Sequence, residues 1–214
     1  MTSVLKLKSR PVRWLAAAFA CLLGTAAVAA DEPVDPKQET PHELVEEVTE
    51  VMFDIVKEYD GGEDDTQAYY QAIEEVLDPV VDFSFIARAV MGSHRKDATD
   101  EQVEEFTKIF RRGLVETYAK GIASYTDSEI SIAPPKEGDK DSRRVSVDQE
   151  VKHDGSTYKL SYTMAQNRSG EWKLINLVLD GVNLGRSFRS QFSQAAKKYD
   201  GDVDKVIDNW LDEV

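Results

Sequence analysis

The apolar period of this chain changes twice, and nothing else constrains its fold as strongly. From residue 40 to about 125, apolar side chains recur every three or four positions; from 127 to about 180 they alternate; from 184 the helical period returns. Helices, then a run of strands, then helices imply an α+β domain with several helices packed on one face of a curved antiparallel sheet. No internal repeat or interior linker interrupts the pattern, so residues 40–214 read as a single domain.

Local signals set the element boundaries. Thr40-Pro41-His42-Glu43 offers an N-cap, a proline at the first helical position and a capping-box Glu, followed by Leu44, Val48, Val51, Ile55 and Tyr59 on one face. A second helix from about Asp65 carries Tyr69, Ile73 and Leu77 and stops at Asp78-Pro79. Asp82 opens a shorter helix that Gly92 closes. Thr99 and Gln102 form a second capping box, leading a long seam of Val103, Phe106, Phe110, Leu114, Tyr118, Ile122 and Tyr125. The alternating part divides at Asp154-Gly155, a hairpin signal, and at Asn167-Arg168-Ser169-Gly170. Four strands in a meander result; the last has apolar residues at both parities, which marks a strand covered on both faces. Leu184, Phe188, Phe192 and Ala195 then begin the closing helices, the last bearing Val203, Ile207 and Leu211.

Residues 1–30 have a different character. Lys6, Lys8, Arg10 and Arg13 precede an apolar run over 14–24, and Val28-Ala29-Ala30 supplies small residues before Asp31. This is the pattern of a cleavable secretory signal peptide, too short in its apolar part for a transmembrane helix. Cys21 raises the alternative of a lipidated lipoprotein, but Phe19 sits where small residues are expected. Residues 31–39 read as a flexible arm. Cleavage after Ala30 leaves 184 residues with 22 cations, 40 acids and no cysteine, hence a periplasmic protein that folds without disulfides.

Composition excludes several functions. A net charge of −14 opposes nucleic-acid binding and tight adsorption to anionic lipid. The single cysteine rules out a thiolate zinc site. His42, His94 and His153 form no metal-binding pattern. Asp200-x-Asp202-x-Asp204 resembles the start of a calcium loop but has Lys205 at the sixth position and Leu211 at the twelfth, so the acids read as helix N-terminal residues. Glu63-Asp64-Asp65 reads as a solvated loop. No nucleophile elbow, P-loop or dinucleotide fingerprint occurs. What is left is apolar surface, which by pattern alone is either ordinary core or the wall of a ligand cavity.

Two stretches carry a family resemblance. The first is Asp82-Phe83-Ser84-Phe85-Ile86-Ala87-Arg88-Ala89-Val90-Met91-Gly92, continued by Ala98-Thr99, Gln102, Phe106, Phe110, Leu114 and Tyr118. The second is Gly170-x-Trp172, then Asp180-Gly181-Val182-Asn183-Leu184 and Phe188-Arg189-Ser190-Gln191-Phe192. In order and spacing the chain resembles the MlaC family, the periplasmic toluene-tolerance and phospholipid-transport auxiliaries. It departs from the family at Ser93-His94-Arg95, where an aromatic is usual, and at Asn183, where Ser is familiar.

The resemblance implies an NTF2-like or cystatin-like cone with a deep apolar pocket between a four-stranded sheet and the helices. It also implies a monomeric, non-enzymatic carrier without cofactor or metal, whose cargo is a phospholipid held by its acyl tails. Its partners would be an inner-membrane Mla ABC transporter complex and an outer-membrane Mla lipoprotein–porin complex, and its role the upkeep of outer-membrane asymmetry. The lipid-facing side chains expected on this reading are Phe83, Ile86, Val90, Phe106, Phe110, Leu114, Tyr118, Val147, Val151, Leu160, Tyr162, Met164, Trp172, Leu174, Val178 and Val182. Arg144, Arg186 and Arg189 are candidates for head-group contact, and Val147→Trp is expected to block the pocket. Two other readings use the same surface: a ligand-free protein–protein adaptor and a small-molecule enzyme of NTF2-like fold.

Overall fold

Capping chemistry places the helices where the sequence puts them. In the computed structural model, which describes residues 40–59, 66–122, 125 and 127–213, helix α1 spans Pro41–Glu58. Its capping box is complete: the Glu43 amide donates to Thr40 Oγ1 at 3.3 Å, and the Thr40 amide donates to Glu43 Oε2 at 2.9 Å. Helix α2 spans Thr66–Leu77, and α3 spans Phe83–Met91 with the Asp82 carboxylate accepting from the Phe85 amide at 2.8 Å. A short 3-10 turn, Gly92–Lys96, joins α3 to α4. The long α4, Asp100–Ile122, opens with the Thr99–Gln102 box, at 2.9 and 3.1 Å. The expected signal peptide, the arm and the Glu63-Asp64-Asp65 run lie outside the described residues.

The sheet is open and antiparallel, with strands in chain order: β1 Glu129–Ile132, β2 Arg144–His153, β3 Ser156–Gln166, β4 Trp172–Leu179 and β5 Val182–Asn183. Asp154 and Gly155 both take positive φ (47° and 77°), the backbone that a two-residue hairpin requires. Asp180 and Gly181 repeat that geometry at 47° and 82°. They fold back the short fifth strand beyond the four that the alternation predicts. Helix α5, Leu184–Lys198, follows at once, capped by Asn183 Oδ1 accepting from the Arg186 amide at 3.0 Å.

The last helical stretch breaks at Asn209 into α6, Val203–Asp208, and α7, Trp210–Glu213. The calcium-like aspartates are absorbed by the fold. Asp202 caps α6 through the Lys205 amide at 3.2 Å, and that hydrogen bond holds its carboxyl below the usual range; Asp204 accepts from Gln102 Nε2 at 2.6 Å.

The β3–β4 pairing contains one irregularity. Thr163 pairs with Asn176 but Met164 pairs with Leu174, so Ile175 is an extra residue in β4. Such a bulge reverses which side chains face inward beyond it. At the same place the helical layer is tied to the sheet, because the Leu174 amide donates to Val80 O at 2.7 Å and the Asp82 amide donates to Leu174 O at 3.0 Å. These bonds cover a strand edge that would otherwise be unpaired.

Three apolar clusters surround the interior. The first joins α3–α7 through Phe106, Phe110, Phe192 and Trp210, with Phe106 edge-on to Phe192 at 5.0 Å and to Trp210 at 5.1 Å. The second joins the start of α1 and Val80 to Val145, Val147, Met164 and Trp172 of the sheet. In the third, Met52, Val56, Tyr69, Ile73, Val115 and Ala119 link α1, α2 and the end of α4, and the Tyr69 hydroxyl donates to Ala119 O at 2.7 Å.

Candidate functional site

The three clusters leave the centre unfilled, although Val48 and Leu77 bridge the second and third. Between them lies a cavity of about 580 Å³, within the size range of small-molecule and cofactor sites. One wall is the inner sheet face, where strand alternation sends Val151, Tyr158, Leu160, Tyr162 and Met164 to the same side. Beyond the bulge, β4 adds Leu177 and Leu179 rather than Val178. The opposite wall is helical: Val48, Met52 and Phe53 of α1, Ile73 and Leu77 of α2, Phe83 and Ile86 of α3, and Leu114, Val115 and Ala119 of α4. The buried floor is Leu44, Val45, Val80 and Met164. Tyr118, Gly121 and Asp180 are the exposed lining residues and mark the rim. Tyr125, edge-on to Tyr158 at 5.3 Å, sits beside them.

Most of the strand side chains in the wall are only partly buried, although they point away from bulk water. They border a hollow instead of one another. The surround is nevertheless dry enough to act on ionisation: burial pushes the Tyr162 phenol well above the ordinary tyrosine range, and it also raises Tyr118.

Besides Asn176 and the rim Asp180, a polar relay interrupts the lining. The Tyr162 hydroxyl donates to Gln149 Oε1 at 2.6 Å, Gln149 Nε2 donates to Thr49 Oγ1 at 3.2 Å, and the Thr49 hydroxyl donates to Val45 O at 2.6 Å. Gln149 is 3% exposed. The outer face of the sheet is polar by contrast. Lys136 Nζ and the Ser161 hydroxyl both donate to Asp148, and these bonds hold its carboxyl below the usual range. A second hollow of about 580 Å³, between α1 and β1, carries Glu46, Glu50, Asp54 and Lys57, and shares only Thr49 and Phe53 with the first. Its charged lining suits water better than hydrocarbon.

Of the side chains expected at the site, the cavity brings together Phe83, Ile86, Phe110, Leu114, Tyr118, Val151, Leu160, Tyr162, Met164 and Leu174. Six others lie elsewhere. Val90 and Phe106 are packed into the α3–α7 cluster, because the first half of α4 faces α5, α6 and α7. Val147, fully buried, and Trp172 belong to the solid cluster under the floor. Val178 is turned to the opposite face by the bulge at Ile175. Val182 is 54% exposed in β5, after the chain has turned out of the meander.

The helical wall from α1 and α2 lies outside the side chains that the sequence pattern points to, as do Leu177, Leu179 and Gln149. Both-parity hydrophobicity in β4 was the available sign of Leu177 and Leu179. A Gln in an otherwise apolar alternating row was the sign for Gln149. Neither signal says what the side chain faces.

None of the three candidate head-group arginines lines the cavity. Arg144 has the outward parity of β2, and Arg186 and Arg189 lie on the exposed face of α5. The latter two belong to a larger pattern. Residues 83–96 and 181–199, which pack through α3, α5 and the 3-10 turn, contain seven Lys or Arg and no acid. Arg189 Nε lies 2.7 Å from where a side chain on Gly92 would begin, so the glycine (φ 58°) lets α5 approach α3 closely there. Among the described residues no group of three or more metal-ligating side chains occurs, and no helix is long and apolar enough to cross a membrane.

Fold and cavity together define an α+β domain wrapped around an apolar hollow. The chain belongs to the MlaC family, whose profile, described as MlaC protein, matches residues 46–212. The Toluene tolerance protein ttg2D of Pseudomonas putida is 34% identical over 179 residues, 82% of either chain. The Intermembrane phospholipid transport system binding protein MlaC of Haemophilus influenzae is 28% identical over 149 residues, 68% of this chain and 69% of that one. A phospholipid-binding protein from Ralstonia solanacearum, solved in complex with a phospholipid, has the same fold. Its TM-score is 0.71 at 23% identity, covering 82% of this chain and 96% of that one.

Proposed function

We propose that this protein is a periplasmic phospholipid carrier that holds acyl tails in the cavity and moves lipid between an outer-membrane Mla lipoprotein–porin complex and an inner-membrane Mla ABC transporter complex, so maintaining outer-membrane asymmetry. The observation that carries this reading is the cavity itself, lined mostly by apolar side chains from its floor at Leu44 and Met164 to its rim at Tyr118. Family membership and the phospholipid-binding relatives support it.

The physical task fits the geometry. A diacyl lipid exposes on the order of 30 methylenes, and burying each is worth about 0.8 kcal/mol, so roughly 24 kcal/mol opposes its passage through water. An open groove would leave much of that unmet; a walled hollow meets it. The hollow also has a cost when dry, roughly 14 kcal/mol at about 24 cal/mol per Å³, comparable to the whole stability of an ordinary domain. Tail burial is similar in bilayer and carrier, so the donor and acceptor complexes, rather than this chain, set the direction of transfer. Their docking would favour the acid-free segments 83–96 and 181–199 in a chain of net charge −14. Export follows from residues 1–30 acting as a signal peptide.

The test is gentle purification from the periplasm, then denaturation, lipid extraction and mass spectrometry. Phospholipid is expected in stoichiometric amount. Protein that carries no lipid and takes up none from vesicles would defeat the carrier reading and favour the adaptor.

A further inference from the structure

The polar relay in the cavity wall has a fixed direction. Thr49 gives its only hydroxyl hydrogen to Val45 O, a helix carbonyl, so its oxygen can only accept from Gln149. That requirement puts Nε2 of Gln149 toward Thr49 and Oε1 toward Tyr162, whose hydroxyl hydrogen is thereby used. An amide nitrogen has two hydrogens, and the second has no protein partner among the described residues. Gln149 is 3% exposed and lines the cavity, so this hydrogen is offered to whatever occupies it. A buried donor left without an acceptor is costly, which makes the position selective for an oxygen.

Depth narrows the choice of oxygen. Gln149 pairs with Leu160, Leu160 pairs with Leu179, and the next residue is the rim Asp180. It therefore stands one row of side chains inside the rim, about 7 Å along β2 from Val151 at 3.4 Å per residue. In a diacyl glycerolipid whose head group lies at the rim, the oxygens at that depth are the ester carbonyls; deeper atoms are hydrocarbon. We infer that Gln149 is a specificity-determining residue whose free Nε2 hydrogen donates to an ester carbonyl of the bound lipid. Tyr162 and Thr49 act as positioning residues that lock the amide in the donating orientation. This inference rests on the carrier reading above.

Ligand chemistry provides the test. Delipidated protein is loaded with a fluorescent lipid, which is displaced by a diester phosphatidylcholine or by the matching diether, whose chains and head group are the same but whose carbonyls are missing. One neutral hydrogen bond corresponds to a diester preference of about 2- to 12-fold in the native protein. Gln149→Met with Tyr162→Phe removes the relay without leaving a phenol unpartnered, and is expected to bind the two lipids equally. If that variant does not fold, the native protein's preference decides alone. Equal affinity of the native protein for both lipids, or a preference that survives in the folded variant, overturns the inference and leaves the carrier standing. Failure of both lipids to bind the native protein would instead sink the carrier reading.

Discussion

Helix α4 presents one apolar seam to two different surroundings. Its first half, through Phe106 and Phe110, meets Phe188, Phe192 and Trp210 ring against ring, and those side chains are essentially closed to solvent. Its second half sends Leu114 and Tyr118 toward a sheet face that it does not reach, and Tyr118 remains 41% exposed. The residue types are alike. One region is solid because four helical segments converge on it, and the other is hollow because the sheet stands off from α4. Apolarity thus marks what avoids water, and says nothing about what replaces it.

That contrast can be broken by matched truncations. Ile207→Ala in the solid cluster should cost about 2–5 kcal/mol of unfolding free energy. Leu160→Ala in the cavity wall, where the side chain already borders space, should cost less than about 1.5 kcal/mol by chemical denaturation of the lipid-free protein. Equal losses would show the hollow to be packed in solution.

Enlargement should repeat the pattern, with a somewhat smaller effect. Val147, expected on sequence grounds to face the pocket, is fully buried in the cluster under the floor. Val147→Trp should therefore overpack and destabilise by about 1–3 kcal/mol or more. Leu160→Trp should leave the fold nearly unchanged while abolishing co-purified lipid. A stable Val147→Trp protein that has lost its lipid would move Val147 back to the cavity.

The smallest effect concerns pH. In the packed third cluster, burial pushes the Tyr69 phenol up to about 12. The unfolded chain ionises near 10, so this stabilising contribution is whole below pH 10 and declines as pH rises toward 12. Thermal melts should show the native protein losing stability in that window that Tyr69→Phe protein keeps, so that the two approach each other. Parallel curves would remove Tyr69 from the account.

Much of the frame was legible locally. Thr40, Asp82 and Thr99 cap helices as their positions suggest, and Asp154-Gly155 turns the central hairpin. The Asp180-Gly181 pair carries the same turn chemistry, but the two strand residues that follow it are too few for an alternation to show. The bulge at Ile175 leaves no readable mark in a strand that is apolar at both parities, so alternation points Val178 inward and misses Leu177 and Leu179. Val90, Phe106, Val147 and Trp172 share their faces with true lining residues, and only their distance from the hollow separates them.

The sequence by itself determined the order and type of the elements, because period, caps and turn residues act over a few neighbouring positions. It also determined which faces would leave water. Whether two such faces would touch or stand apart was decided by the tertiary structure. That separation is set by contacts made elsewhere: the aromatic wedge of α3–α7, and the hydrogen bonds that hold residues 80–82 to Leu174. No window along the chain contains both the wall and the wedge that holds it open.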